Sequence, residues 1–192
     1  MDLGTTIRSR RNRLGLTLEA LAGRSGVSRA MLSEIERGTK NPTIRVVVRV
    51  AGALGCGVSE LLGEQTPATA DRTTVVRREE RRTLVDPRTG VERQSLSPSL
   101  LCLGAEVVWY VIPPGRSAGP FPPHPPGVEE HITVVAGEMH CHLADREINL
   151  REGDAFSFPA DVEHEFRNAG AGPCHFFLVH LFGDQAAGSR QS

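Results

Sequence analysis

The sequence predicts an α+β protein in two domains: a helical bundle of five helices over residues 1–63, then an all-β sandwich or barrel over residues 75–184. Three observations predict it. Apolar residues recur at helical spacing up to residue 63, whereas from Thr73 they come in short β-branched runs divided by Pro and Gly clusters. Charge divides at the same place, with 10 Lys and Arg against 5 Asp and Glu in residues 1–63, and 12 against 18 in the remainder, which also holds all seven histidines. Between the halves, EQTPATADRTT (64–74) loses apolar periodicity and reads as a linker; residues 185–192 read as a flexible tail.

A chain of 192 residues with 39% hydrophobic and 23% charged residues has the composition of a folded globular protein, not a disordered one. No apolar run approaches a membrane span, and the early arginines without an apolar stretch argue against a secretory signal, so the expected compartment is cytoplasmic. Cys56, Cys102, Cys141 and Cys174 are widely spaced and form no CxxC pair, which suggests buried thiols rather than a disulfide framework.

In the first domain, Leu3, Ile7 and Leu14 give a helix an apolar stripe that ends at Gly15, leaving Arg8, Arg10, Arg11 and Arg13 outside. Thr17 can cap a second helix containing Leu18, Leu21 and Ala22, and Gly23 to Gly26 punctuate it. Ser28 can cap a third, in which Met31, Leu32 and Ile35 share one face while Ala30, Ser33, Glu34 and Arg37 share the other; Gly38 ends it. After Pro42, the positions Ile44, Val47, Val48, Ala51 and Leu54 mark a fourth helix with Arg45 and Arg49 on its solvent side, and Val58 to Leu62 a short fifth.

Two short helices across a tight turn, the second with small residues and Arg outward, fit a helix-turn-helix that sets its second helix in the major groove. Arg29 is the candidate for reading guanine, since its fork addresses O6 and N7 together. Ala30 and Ser33 share the outer face, Ser33 suiting a base or a phosphate. Thr17, Ser28, Arg37 and Lys40 suit the DNA backbone, with capping as the equal alternative for Thr17 and Ser28. The segments TLEALA (Thr17 to Ala22), GVS (Gly26 to Ser28), SEIERG (Ser33 to Gly38) and Asn41-Pro42 resemble the XRE family of lambda-repressor-like regulators. That resemblance implies double-stranded DNA as partner and an Arg11–Glu36 ion pair joining the first and third helices.

The β half carries a second resemblance. Gly153, Pro159, His164 and Asn168 match the second cupin motif, and Gly119, His124, Glu130 and Gly137 match the first, except that Pro126 stands where its second histidine belongs. The resemblance implies a jelly roll (double-stranded β-helix). It further implies His124, Glu130 and His164 as a reduced ligand set for one divalent transition metal (Fe, Mn, Ni or Zn), or as hydrogen-bonding groups for an organic ligand without metal. Strand alternation points His180 inward, as a candidate ligand-binding residue, and His131, His140, His142 and His175 outward. Trp109, Tyr110, Phe156 and Phe158 are candidate pocket walls.

The two domains together resemble one-component regulators with an XRE-type head and a cupin sensor. The expectation is a homodimeric repressor that reads an inverted repeat and responds to a small-molecule effector. Two other readings stand beside it: a cupin metalloenzyme, oxygenase or isomerase, on a DNA-binding tether, and a regulator whose cupin only dimerises.

Overall fold

A computed structural model describes residues 2–63 and 74–182. The expected linker, apart from Thr74, and the expected tail lie outside the described residues.

Five α-helices precede the strands: α1 (Leu3–Arg13), α2 (Leu18–Ser25), α3 (Arg29–Glu36), α4 (Ile44–Ala53) and α5 (Val58–Leu61). Each of the first four starts where a side chain satisfies an orphaned backbone donor. Asp2 accepts from the Thr5 N–H, Thr17 from Ala20, Ser28 from Met31 and Thr43 from Val46. α2 ends at Gly26, whose φ of 62° is left-handed, and the turn to α3 follows at once. Ile7, Leu21, Leu32, Ile35, Val47 and Leu61 form the bundle core. Leu14 departs from the expected stripe and is 48% exposed, because the helix has already ended at Arg13. α1 lies so close to α3 that a Cβ at Gly4 would stand 2.2 Å from the Ile35 carbonyl oxygen, so only glycine permits this approach.

Two arginines expected on the surface are tied to the backbone instead. Arg10 donates to the carbonyls of Leu54 and Gly55 and pairs with Glu60 at 3.1 Å, joining α1 to the α4–α5 turn. Arg49 folds over Gly26 and donates to the Ser25 carbonyl at 2.8 Å, closing the end of α2. A helical wheel places the Cα of such residues outside, but their long stems reach back to cover the bundle.

Among the described residues ten strands follow: β1 (Thr83–Val85), β2 (Glu92–Ser95), β3 (Ala105–Ile112), β4 (Ser117–Phe121), β5 (Val128–Ala136), β6 (Glu138–Leu143), β7 (Arg146–Arg151), β8 (Ala155–Pro159), β9 (His164–Asn168) and β10 (Cys174–Phe182). They make a six-stranded sheet in the order β1-β2-β3-β10-β5-β8 and a four-stranded sheet in the order β4-β9-β6-β7. Paired strands are antiparallel throughout. Strict alternation of buried and less buried residues along β3 shows why its sequence reads as a strand with one face in the core. Cys141 and Cys174 are buried, and burial pushes their thiols up to about 12 and about 11, which keeps them protonated. Cys56 is half-buried; the Cys102 side chain lies outside what is described.

The bundle sits directly on the barrel, α4 lying against β4. Two carboxylates of the β domain reach helix starts in the bundle. Asp86 accepts from the Ile44 N–H at 3.1 Å, and Glu106 accepts from the Ser59 N–H at 3.2 Å and from the Ser59 hydroxyl. Glu106 is also paired with buried Arg93 at 2.8 Å, and Ser59 Oγ lies 2.9 Å from Ser95 Oγ.

Candidate functional site

The candidate DNA-contacting residues sit at the start of α2, along α3 and just beyond it, and make up the candidate DNA face of the bundle. Thr17, Ser28, Arg29, Ala30, Arg37 and Lys40 are exposed and Ser33 is half-buried, so all seven residues expected at DNA lie at the surface. Thr17 and Ser28 are occupied as helix caps, although a capping hydroxyl at a helix N-terminus leaves the terminus itself turned outward. Arg29 pairs with Glu19 at 3.0 Å with both side chains mostly exposed, an arrangement DNA can displace. Arg37 donates to Ser33 Oγ, and Lys40 pairs with Glu34 at 3.2 Å. Behind this face, Arg11 grips Glu36 with two hydrogen bonds of 2.7 and 2.8 Å and donates to the Leu16 carbonyl. Helix α3 is thereby held against α1 at a fixed angle.

The second feature is a cavity of about 440 Å³ beneath α4, whose floor is polar and whose walls are apolar. Cross-strand register explains the floor. Glu106 on β3, His180 on β10 and Glu130 on β5 stand directly opposite one another, so all three point to the same inner face. His164 arrives from β9 in the other sheet, and His124 from the loop before β5. His124 Nε2 and His180 Nδ1 each lie 3.2 Å from Glu130 Oε1, and His164 Nε2 lies 3.6 Å from Oε2. Sequence motifs named His124, Glu130 and His164, and strand alternation His180; in the structure one ligand atom from each of His124, Glu130 and His180 lies within 4.8 Å of the other two.

The electrostatics of the cluster suit a cation. His164 Nδ1 is 2.9 Å from the Val162 carbonyl, which can only accept, so Nδ1 carries the proton. Burial, the main cause, lowers the His164 pKa despite the nearby Glu130, and the neutral ring turns a lone pair at Nε2 toward the cavity. Burial alone would raise the Glu130 carboxyl, but His180 and His124 reverse this and hold it well below the carboxylate range. An ionised oxygen, Oε2, therefore faces an imidazole lone pair and receives no hydrogen bond among the described residues. One divalent ion would satisfy both, so the donor set fits a metal with N and O ligands. Pro126 also lines the cavity and offers no side-chain ligand.

Three residues expected in the cavity wall, Trp109, Phe156 and Phe158, lie elsewhere. Trp109 alternates with the inward Tyr110 and so faces outward, packing on His175 at 5.6 Å and edge-on to Phe177 at 4.7 Å. Phe158 is buried but stands behind His164, ring centroids 5.4 Å apart, and stacks on Phe156 as a buttress. Sequence reasoning missed Arg93, Glu106 and the bundle residues Val48, Ala51 and Gly52, which line the cavity from above. A signal for Glu106 existed, a charged residue in phase with the apolar Val108, Tyr110 and Ile112.

Comparison with known proteins matches residues 7–61 to the family described as Helix-turn-helix and residues 108–180 to the family described as Cupin domain. An HTH-type transcriptional regulator, y4dJ of Sinorhizobium fredii, is 39% identical over 67 residues, covering 34% of this chain and 87% of that protein. The chain belongs to the XRE-type helix-turn-helix regulators that carry a cupin domain. Over nearly its whole length this XRE–cupin regulator is also similar to the HTH-type transcriptional regulator SutR of Escherichia coli, at 28% identity over 182 residues, 93% of this chain and 94% of SutR. A solved HTH_3 family transcriptional regulator from Vibrio cholerae superposes with a TM-score of 0.77 at 25% identity, covering 94% of both chains. No helix among the described residues of the regulator is long and apolar enough to cross a membrane.

Proposed function

We propose that the chain is a homodimeric, sequence-specific repressor whose cupin cavity takes a small-molecule effector that changes its affinity for DNA. The observation that carries this reading is the conjunction, in one chain, of an exposed reading face on α3 and a polar cluster enclosed beneath α4. Arg29 would read a base, with Ala30 and Ser33 beside it, and Thr17, Ser28, Arg37 and Lys40 would hold the backbone. Dimerisation has support in the outer face of the six-stranded sheet, where half-buried Trp109, Phe177, Val107, Val111 and Val179 offer an apolar surface for a second copy.

His124, Glu130, His164 and His180 would hold iron, manganese, nickel or zinc. A bound ion would supply a Lewis acid to which an oxygen or nitrogen of the effector coordinates. Tyr110 stays protonated, burial pushing it up to about 12, and so adds a hydroxyl to the wall. The relatives named as transcriptional regulators favour a sensor over an enzyme, and turnover by the metal-loaded protein would reverse that preference.

Selection of duplexes from a random pool tests the reading. It should return an inverted repeat with half-site centres about 34 Å apart, bound by a dimer. Failure to enrich any sequence would refute the specificity claimed here.

A further inference from the structure

The cavity has two owners. Its floor, with Glu130 and His180, belongs to the barrel, but its roof is Val48, Ala51, Gly52 and Cys56 of the DNA-binding bundle. The two are connected through the floor as well, because His180 stands between Glu130 on one side and Glu106 on the other, and Glu106 accepts from both the N–H and the hydroxyl of Ser59 in α5. Ser59, Ser95, Arg93 and Glu106 are all essentially buried, so this junction holds only while the bundle is docked.

We infer that the effector is bound by both domains at once, a molecule with an apolar body against α4 and a polar end at Glu130, so that occupancy of the cavity and docking of the DNA-binding bundle are one equilibrium. A ligand shifts a balance by its differential affinity for the two states. Docked, the cavity offers two walls and a floor; undocked, it offers the barrel side alone. The effector therefore holds the bundle down, and operator DNA, which needs two reading helices at a set spacing, senses the same balance from the other side. The inference rests on the regulator reading and adds where its signal arises.

A cross-link substitutes for the unidentified effector. Ser59 Oγ and Ser95 Oγ are 2.9 Å apart across the junction, so Ser59→Cys with Ser95→Cys places two thiols within disulfide reach. Affinity of the full-length variant for the selected operator, oxidised against reduced, should differ at least tenfold, the sign showing whether the effector releases or recruits DNA. As a second arm, Gly52→Trp adds bulk at the exposed rim of the cavity, where a Cβ meets nothing within 4 Å and the indole can lie over the opening without backbone strain. It should move operator affinity at least threefold in the same direction as the disulfide and slow hydrogen exchange at Val58–Leu61 by a comparable factor. Val48→Phe, one turn away on the same face, replaces it should that variant fail to fold. Equal operator affinities of the oxidised and reduced forms, or a shift by Gly52→Trp opposite to that of the disulfide, overturns the inference. Absence of operator binding by the unaltered protein would instead sink the regulator reading; slowed exchange at Val58–Leu61 in Gly52→Trp would then still support the shared site, and unchanged exchange would overturn it.

Discussion

Arg29 and Glu130, two candidate site residues, are held very differently. Arg29 is loosely engaged with Glu19 on an open face and can change partners. Substituting it with Ala should relax sequence preference at one base position and cost about 1–3 kcal/mol on the operator, with little change on random DNA; competition binding against both duplexes measures this. Glu130 is locked among three imidazoles. Glu130→Gln removes the anionic ligand while keeping its shape, and metal retained after purification without chelator should fall at least tenfold, as read by mass spectrometry. His140→Ala, on the outer side of β6, should leave metal content unchanged. His124, Glu130 and His164 were legible because motif spacing fixes them, and His180 because alternation from Phe176 and Leu178 carries it inward. Trp109 was misassigned by one step of the same alternation: a period of two separates wall from outer surface by a single residue.

Among the elements, α1 to α4 each start at a side-chain cap, Asp2, Thr17, Ser28 and Thr43, of which Thr17 and Ser28 were legible in the sequence. Contacts across the chain are another matter. Arg11–Glu36 was accessible only through resemblance, and Arg10 and Arg49 read as surface charges because their acceptors, the Leu54, Gly55 and Ser25 carbonyls, carry no side-chain signature. Arg11→Ala strands Glu36, 6% exposed, without its fork, and should destabilise the protein by about 1.5–3 kcal/mol in urea unfolding. Arg8→Ala, on the exposed side of α1, should change stability by less than about 0.5 kcal/mol.

At the scale of the molecule, the sequence divides cleanly into two domains, but their junction was invisible because Glu106, Ser59 and Asp86 become neighbours only on docking. Burial would raise the Glu106 carboxyl; the Arg93 guanidinium, then His180 and the Ser59 hydroxyl, outweigh it and bring it to about 2. A depressed acid stabilises the fold fully above its ordinary value and loses that contribution as pH falls. The excess in melting temperature of the unaltered protein over Glu106→Gln should therefore be constant above pH 4.5 and shrink from there toward pH 2. If the proposed dimer forms through the outer face of the six-stranded sheet, Trp109→Lys should shift the population toward monomer in sedimentation while leaving the barrel folded, because the residue faces out.

α4 has the cavity on one side and α2 on the other, and α2 in turn packs on α3. A helix is about 10 Å across. On the proposed reading, a change at the barrel's floor has α4 and α2 to cross before it reaches α3, and it would travel as a change of tilt, with every hydrogen bond inside those cylinders kept. Circular dichroism should then look the same in the two states, while the angle between the paired reading helices does not.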